Sequence, residues 1–196
     1  MSQDDVRELL ESIYSQRRPR ENDIAALLRL TDPAQVQELF DFADIVRKEY
    51  VGDGVLVRGI VEFSSYCRNR CWYCGLSKDN SQLRRYRQTK QQIMDCLRQI
   101  TDCGVKTVVL QGGEDDRLSG QWLAGLIRDI KARYDVAITL SCGERPIEDY
   151  RLWKQAGADR YLLKIETTDE RLYHTLHPEM SFNNRIKCLE NLKNLA

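Results

Sequence analysis

No run of apolar residues in this chain approaches the roughly 20 that a membrane-spanning helix requires, so no helical span is expected. The opening residues, MSQDDVRELLESIYSQRR, are charged and lack the apolar stretch of a secretory signal. Neither sign of charge is in excess. The 30 Lys and Arg balance 30 Asp and Glu, which gives no electrostatic reason to expect nucleic acid or another polyanion as partner. Histidine is scarce, with only His174 and His177, and neither stands at a convincing ligand spacing to a cysteine. Sequence repeats and low-complexity tracts are also missing. A cytoplasmic protein follows as the expectation, with no membrane partner and 196 residues to build a sizeable core.

Cysteine is not scarce. Seven are present, and an odd count in a reducing compartment disfavours a disulfide framework and favours metal ligation or free buried thiols.

Residues 1–52 read as a helical segment. In its clearest helix Asp32 caps and Pro33 takes the first helical position. Val36, Leu39, Phe40, Ala43, Val46 and Tyr50 then recur at helical spacing up to Gly52, and that face is expected to be buried. Composition changes near residue 53, and VLVRGIVEF reads as a β-branched strand. Strands and helices then alternate. Thr89 and Gln92 form a capping box for a helix that Gly104 stops. KTVVLQ is a strand, and Ser119 opens a helix with Leu123, Leu126, Ile127, Ile130 and Tyr134 on one face. DVAITLS is a third strand, Arg145-Pro146 starts a helix closed at Gly157, RYLLKIE is a fourth strand, and a last helix begins near Ser181. Such alternation predicts parallel strands with crossover helices over 53–196, an α/β fold. The short apolar strands suit burial on both faces.

In folds of this class the functional groups sit on loops after the carboxyl ends of the strands. Cys67, Cys71 and Cys74 follow strand one, Gly112, Gly113 and Glu114 follow strand two, Ser141 to Glu144 follow strand three, and Glu166 follows strand four. Chemistry-bearing segments thus converge on one rim. A structural zinc site takes four ligands in a closed shell. A cubane iron–sulfur cluster with full protein ligation takes four cysteines, so three would leave one iron open. Zinc remains an alternative only with a fourth ligand from Cys142, Cys188, His174 or His177, and three unrelated thiols are the other. Cys96, at helical spacing to Ile93 and Ile100, and Cys103, seven residues on, read as core thiols, and Cys188 reads as a structural thiol on a helix, while Cys142 lies close enough to the rim to count as a candidate. His174 and His177 read as surface residues. Arg68 and Arg70 read either as charges that favour an electron-rich cluster or as solvated loop residues.

The Cys-x3-Cys-x2-Cys spacing, with aromatic Tyr73 before the last cysteine, resembles the signature of the radical S-adenosylmethionine superfamily. The segments CWYCGLSKDNSQLRRYRQT, VVLQGGED, TLSCGERP, GADRYLLKIET and SFNNRIKCLENLK, in that order from about Gly59 onward, are similar to the HydE family of [FeFe]-hydrogenase maturases. Biotin synthase and methylornithine synthase share the layout.

The resemblance implies a TIM-type radical S-adenosylmethionine barrel. About four βα units are present after the N-terminal helices, so the sequence is expected to be truncated relative to a complete (β/α)8 barrel. It implies a [4Fe-4S] cluster on Cys67, Cys71 and Cys74, with S-adenosylmethionine cleaved to a 5′-deoxyadenosyl radical. Tyr73 would contact the adenine through its main chain, and Gly112, Gly113 and Glu114 would form the loop beside the methionine amino group. Ser141 and Glu166 resemble positions near the ribose and methionine, and Arg185 would pair with the methionine carboxylate. Asp115 stands where the superfamily form has proline, and Lys164 where the HydE family has arginine. The implied partners are an iron-containing precursor or other small molecule, hydrogenase maturation proteins and an electron donor. A biotin synthase or methylornithine synthase relative, and a non-catalytic iron–sulfur-binding fragment, are the rival readings.

Overall fold

The computed structural model describes residues 2–16 and 18–195. The chain divides into two compact units, Met1–Leu56 and Val57–Ala196.

The first unit contains α1 (Gln3–Ser15), α2 (Glu21–Leu28) and α3 (Pro33–Val51). Asp32 caps α3 as its sequence predicts, its carboxylate accepting from the amides of Ala34 and Gln35. Val6 and Leu10 of α1 are buried, but no residue of α3 is. Phe40 and Tyr50 are 60% and 70% exposed, so the continuous buried face expected of α3 is not found. Spacing fixes which side chains share a face, and burial depends on what packs there.

The second unit is a four-stranded parallel sheet in the order β1-β2-β3-β4, formed by β1 (Gly59–Ser64), β2 (Thr107–Gly112), β3 (Ala137–Ser141) and β4 (Arg160–Tyr161). Helices α4 (Lys90–Asp102), α5 (Gly120–Arg133) and α6 (Ile147–Ala156) make the crossovers, and α7 (Glu170–Leu176) and α8 (Phe182–Leu195) follow β4. Local signals behave as expected. Thr89 and Gln92 close a capping box, Ser119 caps α5, and Gly157 ends α6 at φ 109°, a conformation that suits a residue without Cβ.

Strand extents differ from the sequence reading. Val55, Leu56 and Val57 lie outside β1 and are exposed, and β4 keeps only two ladder residues, paired with Thr139 and Leu140. A strand lasts only as long as its partner supplies hydrogen bonds, which local propensity does not encode. Burial is also uneven between the two faces of the sheet. Val61, Phe63, Val108, Leu110, Ile138 and Leu140 pack against Ile93, Leu97, Leu123, Leu126, Ile127, Ile130 and Trp153 of the helices. The opposite face carries Ile60, Glu62, Val109, Gln111, Thr139 and Ser141, of which Val109 alone is buried, and Gln111 donates to the Glu62 carboxylate at 3.1 Å. That largely uncovered face departs from the expectation of burial on both sides. Side chains alternate along each strand, and the helices cover only one set.

Candidate functional site at the strand ends

A register shift between Glu62 and Ser64 ends β1 and redirects the chain into the cysteine loop. The loop is held at both ends by Arg85, whose guanidinium donates to the carbonyls of Ser65, Leu76 and Ser77 at 2.5, 2.9 and 2.6 Å. Within it the Cys74 amide donates to Cys71 O, the Lys78 amide to Asn69 O, and the Asn69 amide to Cys67 Sγ. Arg68 N donates to Glu114 O at 2.9 Å, tying the loop to the end of β2. Gly113 makes this junction sterically feasible. A Cβ there would overlap the Tyr66 carbonyl oxygen and come within 2.6 Å of Cys67 Cβ.

The three cysteines are half-buried and mutually close enough to interact electrostatically. Burial pushes the Cys71 thiol up to about 11, with further contributions from Cys67, Cys74 and Glu114. Burial raises Cys67 as well. Thiols that disfavour one another's thiolates are held together by a cation that all of them bind. Among the described residues, no three His, Cys, Asp or Glu side chains converge on one point suited to a single metal ion. A cubane makes a different demand, because each thiolate binds a separate iron. Three half-buried thiols on one loop fit the donor set of such a cluster.

Around this loop lies a buried charge network. Glu114, Glu144 and Arg185 are each under a tenth exposed. Arg185 Nε donates to Glu144 Oε1 at 2.7 Å, one terminal nitrogen donates to Lys164 O at 2.8 Å, and the other stands 3.7 Å from Glu114 Oε1. Glu114 also accepts from the Glu144 amide at 2.9 Å and from Arg68 at 3.2 Å. A guanidinium has five donors, so Arg185 keeps some for an incoming anion. Close by, the fully buried Tyr173 hydroxyl has no hydrogen-bond partner; burial raises its pKa, and the charge of Arg185 opposes that rise. An orphaned donor beside an incompletely used guanidinium fits a small anionic ligand such as the carboxylate of a methionine moiety.

Other expected residues fall along the same rim. Ser141 ends β3 beside Gln111, and Gly112 ends β2 beside Ser64. Glu166 is exposed and adopts φ 63°, an uncommon conformation for a residue with Cβ, and its charge is felt by Tyr73. Asp115, in place of proline, is clamped instead. Ser64 Oγ donates to it at 2.7 Å and Arg87 binds it bidentately at 2.5 and 2.7 Å, while the Arg87 guanidinium lies 3.7 Å from the Tyr66 ring centroid. Burial alone would raise the Asp115 carboxyl, but these donors outweigh it and hold the group below the usual carboxylate range.

Two side chains depart from the sequence reading. His177 is not a surface residue but 1% exposed, and Cys103 is exposed instead of packed in a core. Arg68, half-exposed, bridges Glu114 and Asp116. Cys103 follows the last residue of α4, so helical spacing from Cys96 no longer applies to it. Arg85, Arg87, Glu144 and Tyr173 were not singled out individually, because each acts through partners distant in sequence. Cys142 sits in the apolar core, and burial pushes its thiol up to about 12. We expect a maleimide applied at pH 8 to the chain without metal to label Cys103 promptly, and Cys142 and Cys188 only on unfolding. Peptide mass spectrometry reads the order, and prompt labelling of Cys142 would contradict the burial.

The Radical SAM superfamily pattern matches residues 61–196. The chain belongs to the radical SAM superfamily. Its sequence is 44% identical to the [FeFe] hydrogenase maturase subunit HydE of Thermotoga maritima over 190 residues, which cover 97% of this chain and 54% of that protein. The 3-methylornithine synthase of Methanosarcina acetivorans is 27% identical over 187 residues, covering 94% of this chain and 53% of that one. The crystal structure of methylornithine synthase, PylB, matches with a TM-score of 0.88 at 26% identity, over 95% of this chain and 56% of that chain. The radical SAM chain described here spans about half the length of these relatives. Its parallel βα architecture is that of a partial TIM-type radical SAM barrel.

Proposed function

We propose that residues 53–196 form the catalytic body of a radical SAM enzyme of HydE type, that residues 1–52 form a separate helical segment, and that Cys67, Cys71 and Cys74 hold a [4Fe-4S] cluster. One observation carries the reading: a single loop, fixed at both ends by Arg85 and joined to β2 across Gly113, presents three half-buried thiols beside the Arg185 network. Cys67, Cys71 and Cys74 would hold the cluster, which would supply the one electron needed for reductive cleavage of a carbon–sulfur bond of the S-adenosylmethionine sulfonium, giving methionine and a 5′-deoxyadenosyl radical.

The chain's own residues contribute positioning. Arg185 offers its spare donors, and Tyr173 its free hydroxyl, to the methionine carboxylate. Gly112 and Gly113 keep the β2 end bare of side chains, and the Asp115–Arg87 clamp fixes the loop that follows. Tyr73, Glu114, Ser141 and Glu166 complete the rim.

The proposed setting is maturation of [FeFe] hydrogenase in the cytoplasm, with an iron-containing precursor or other small molecule as substrate, maturation proteins as partners and an external electron donor. Greater identity to the maturase than to methylornithine synthase favours this setting over the amino-acid-synthesis alternative. Among the described residues no helix is long and apolar enough to cross a membrane.

The test is anaerobic reconstitution with iron and sulfide, followed by electron paramagnetic resonance with and without S-adenosylmethionine. A spectrum that changes with the ligand, and 5′-deoxyadenosine formed on reduction, are the expected results. Zinc in place of iron, or a cluster indifferent to the ligand, would overturn the proposal.

A further inference from the structure

His177 has no role in the positioning described above, yet it is nearly the most buried polar side chain of the rim. Its Nδ1 lies 3.1 Å from the Tyr173 carbonyl oxygen. A carbonyl can only accept, so in the neutral imidazole Nδ1 carries the proton and Nε2 is left to accept. The Tyr73 hydroxyl lies 2.7 Å from Nε2 and donates to it. The imidazole is stacked on the Tyr173 ring, with centroids 4.3 Å apart, and stands edge-on to Tyr73 at 5.4 Å. Both hydrogen bonds and both ring contacts therefore fix one orientation of the imidazole.

Two more ties run alongside. The amide of Trp72, between Cys71 and Tyr73, donates to Leu176 O at 3.1 Å. Glu179 pairs with Arg70 and Lys78 at 3.0 and 2.9 Å, one on each side of the last two cysteines, and does so from φ 72°. The α7 segment and the turn after it thus grip the middle of the cysteine loop, whose ends Arg85 holds.

We propose that His177 is a positioning residue for the cysteine loop: by accepting the Tyr73 hydroxyl it sets the path of the chain between Cys71 and Cys74. The consequence for cluster and cofactor binding rests on the function proposed above, whereas the consequence for loop mobility does not. Nothing in the grip requires metal, because every tie is between protein atoms.

The experiment is hydrogen exchange at residues 71–78 in the full chain without metal, comparing wild type with Tyr73→Phe, His177→Phe and His177→Gln. Tyr73→Phe keeps the ring and removes only the donor, so the fold is not at risk. We expect exchange at these amides to rise about five-fold in Tyr73→Phe, the factor that follows from losing one net hydrogen bond, and at least as much in His177→Phe, which also loses the bond to Tyr173 O. The Tyr73→Phe, His177→Phe double variant should exchange no faster than His177→Phe alone, because the bond between the two residues is already gone there. His177→Gln, whose amide oxygen reaches the place of Nε2, should restore slow exchange. After reconstitution, the two phenylalanine variants should need more S-adenosylmethionine to reach half of the spectral change, with the glutamine variant near wild type. Wild-type exchange in both phenylalanine variants, or additive effects in the double variant, would overturn the assignment. A chain that binds no cluster but shows the exchange pattern would overturn only the proposed function.

Discussion

Replacing Gly113 with alanine is expected to leave the reconstituted chain nearly without iron and sulfide. The reason is packing, because Gly113 is not among the glycines with positive φ and alanine can adopt its backbone conformation. The added methyl group would overlap the Tyr66 carbonyl and approach Cys67 Cβ to 2.6 Å. Neither is the free end of a flexible side chain, so one of two backbones must move. The Arg68 N to Glu114 O bond, immediately beside the collision, is the first tie to be lost. Overpacking of this kind costs about 1–3 kcal/mol, enough to lower the urea midpoint measurably. The effect on the metal should be larger in proportion, because displacing Cys67 removes one of three anchors. Gly112→Ala is the internal control. Its Cβ would meet Ser64 O at 3.3 Å, a tight contact that a small shift relieves. We expect Gly112→Ala to keep most of its iron, measured by inductively coupled plasma analysis and acid-labile sulfide per chain. Equal iron in Gly113→Ala and wild type would show that the junction does not shape the loop.

What could be read in the sequence divides by the range of the interaction. Asp32, Thr89 with Gln92, Ser119 and Gly157 act on amides or dihedrals within a few residues, and all four function as their positions suggest. Order of elements and strand direction follow from alternation, and the structure has them. The seven-residue helix α7 is too short to display a period, so its sequence does not announce it although Asp169 caps it. The fourth strand is shorter than its composition suggests, because Leu162 to Glu166 are strand-like while the ladder with β3 ends at Tyr161. Within the site, the cysteines, the glycines and Arg185 were legible through motif and family resemblance. Their supports were not. Arg87 finds Asp115 across 28 residues, Arg185 finds Glu144 across 41, and Tyr73 finds His177 across 104. Burial of such groups is decided by the meeting of distant segments, so a charge in a loop looks solvated until its partner is known.

That network yields the other large expected effect. Arg185→Met should destabilise the fold by about 3–5 kcal/mol, because it leaves Glu144 and Glu114 buried with their shared cation gone. Glu114 retains half-exposed Arg68, whereas Glu144 keeps, among the described residues, the uncharged donor Asn184. Adding Glu144→Gln to Arg185→Met should therefore recover much of the loss, since an amide needs no counter-charge and can still accept from Asn184. Urea unfolding of the single and double variants reads the loss and its recovery. Arg185→Lys separates stability from cofactor recognition. An ammonium can compensate Glu144, but it cannot also reach Lys164 O and keep a planar pair of donors free. We expect it to restore most of the stability and little of the electron paramagnetic resonance response to S-adenosylmethionine. A lysine variant with the full response would reduce Arg185 to a structural counter-ion, and the methionine carboxylate would then need another partner among the rim donors, with Tyr173 the first to examine.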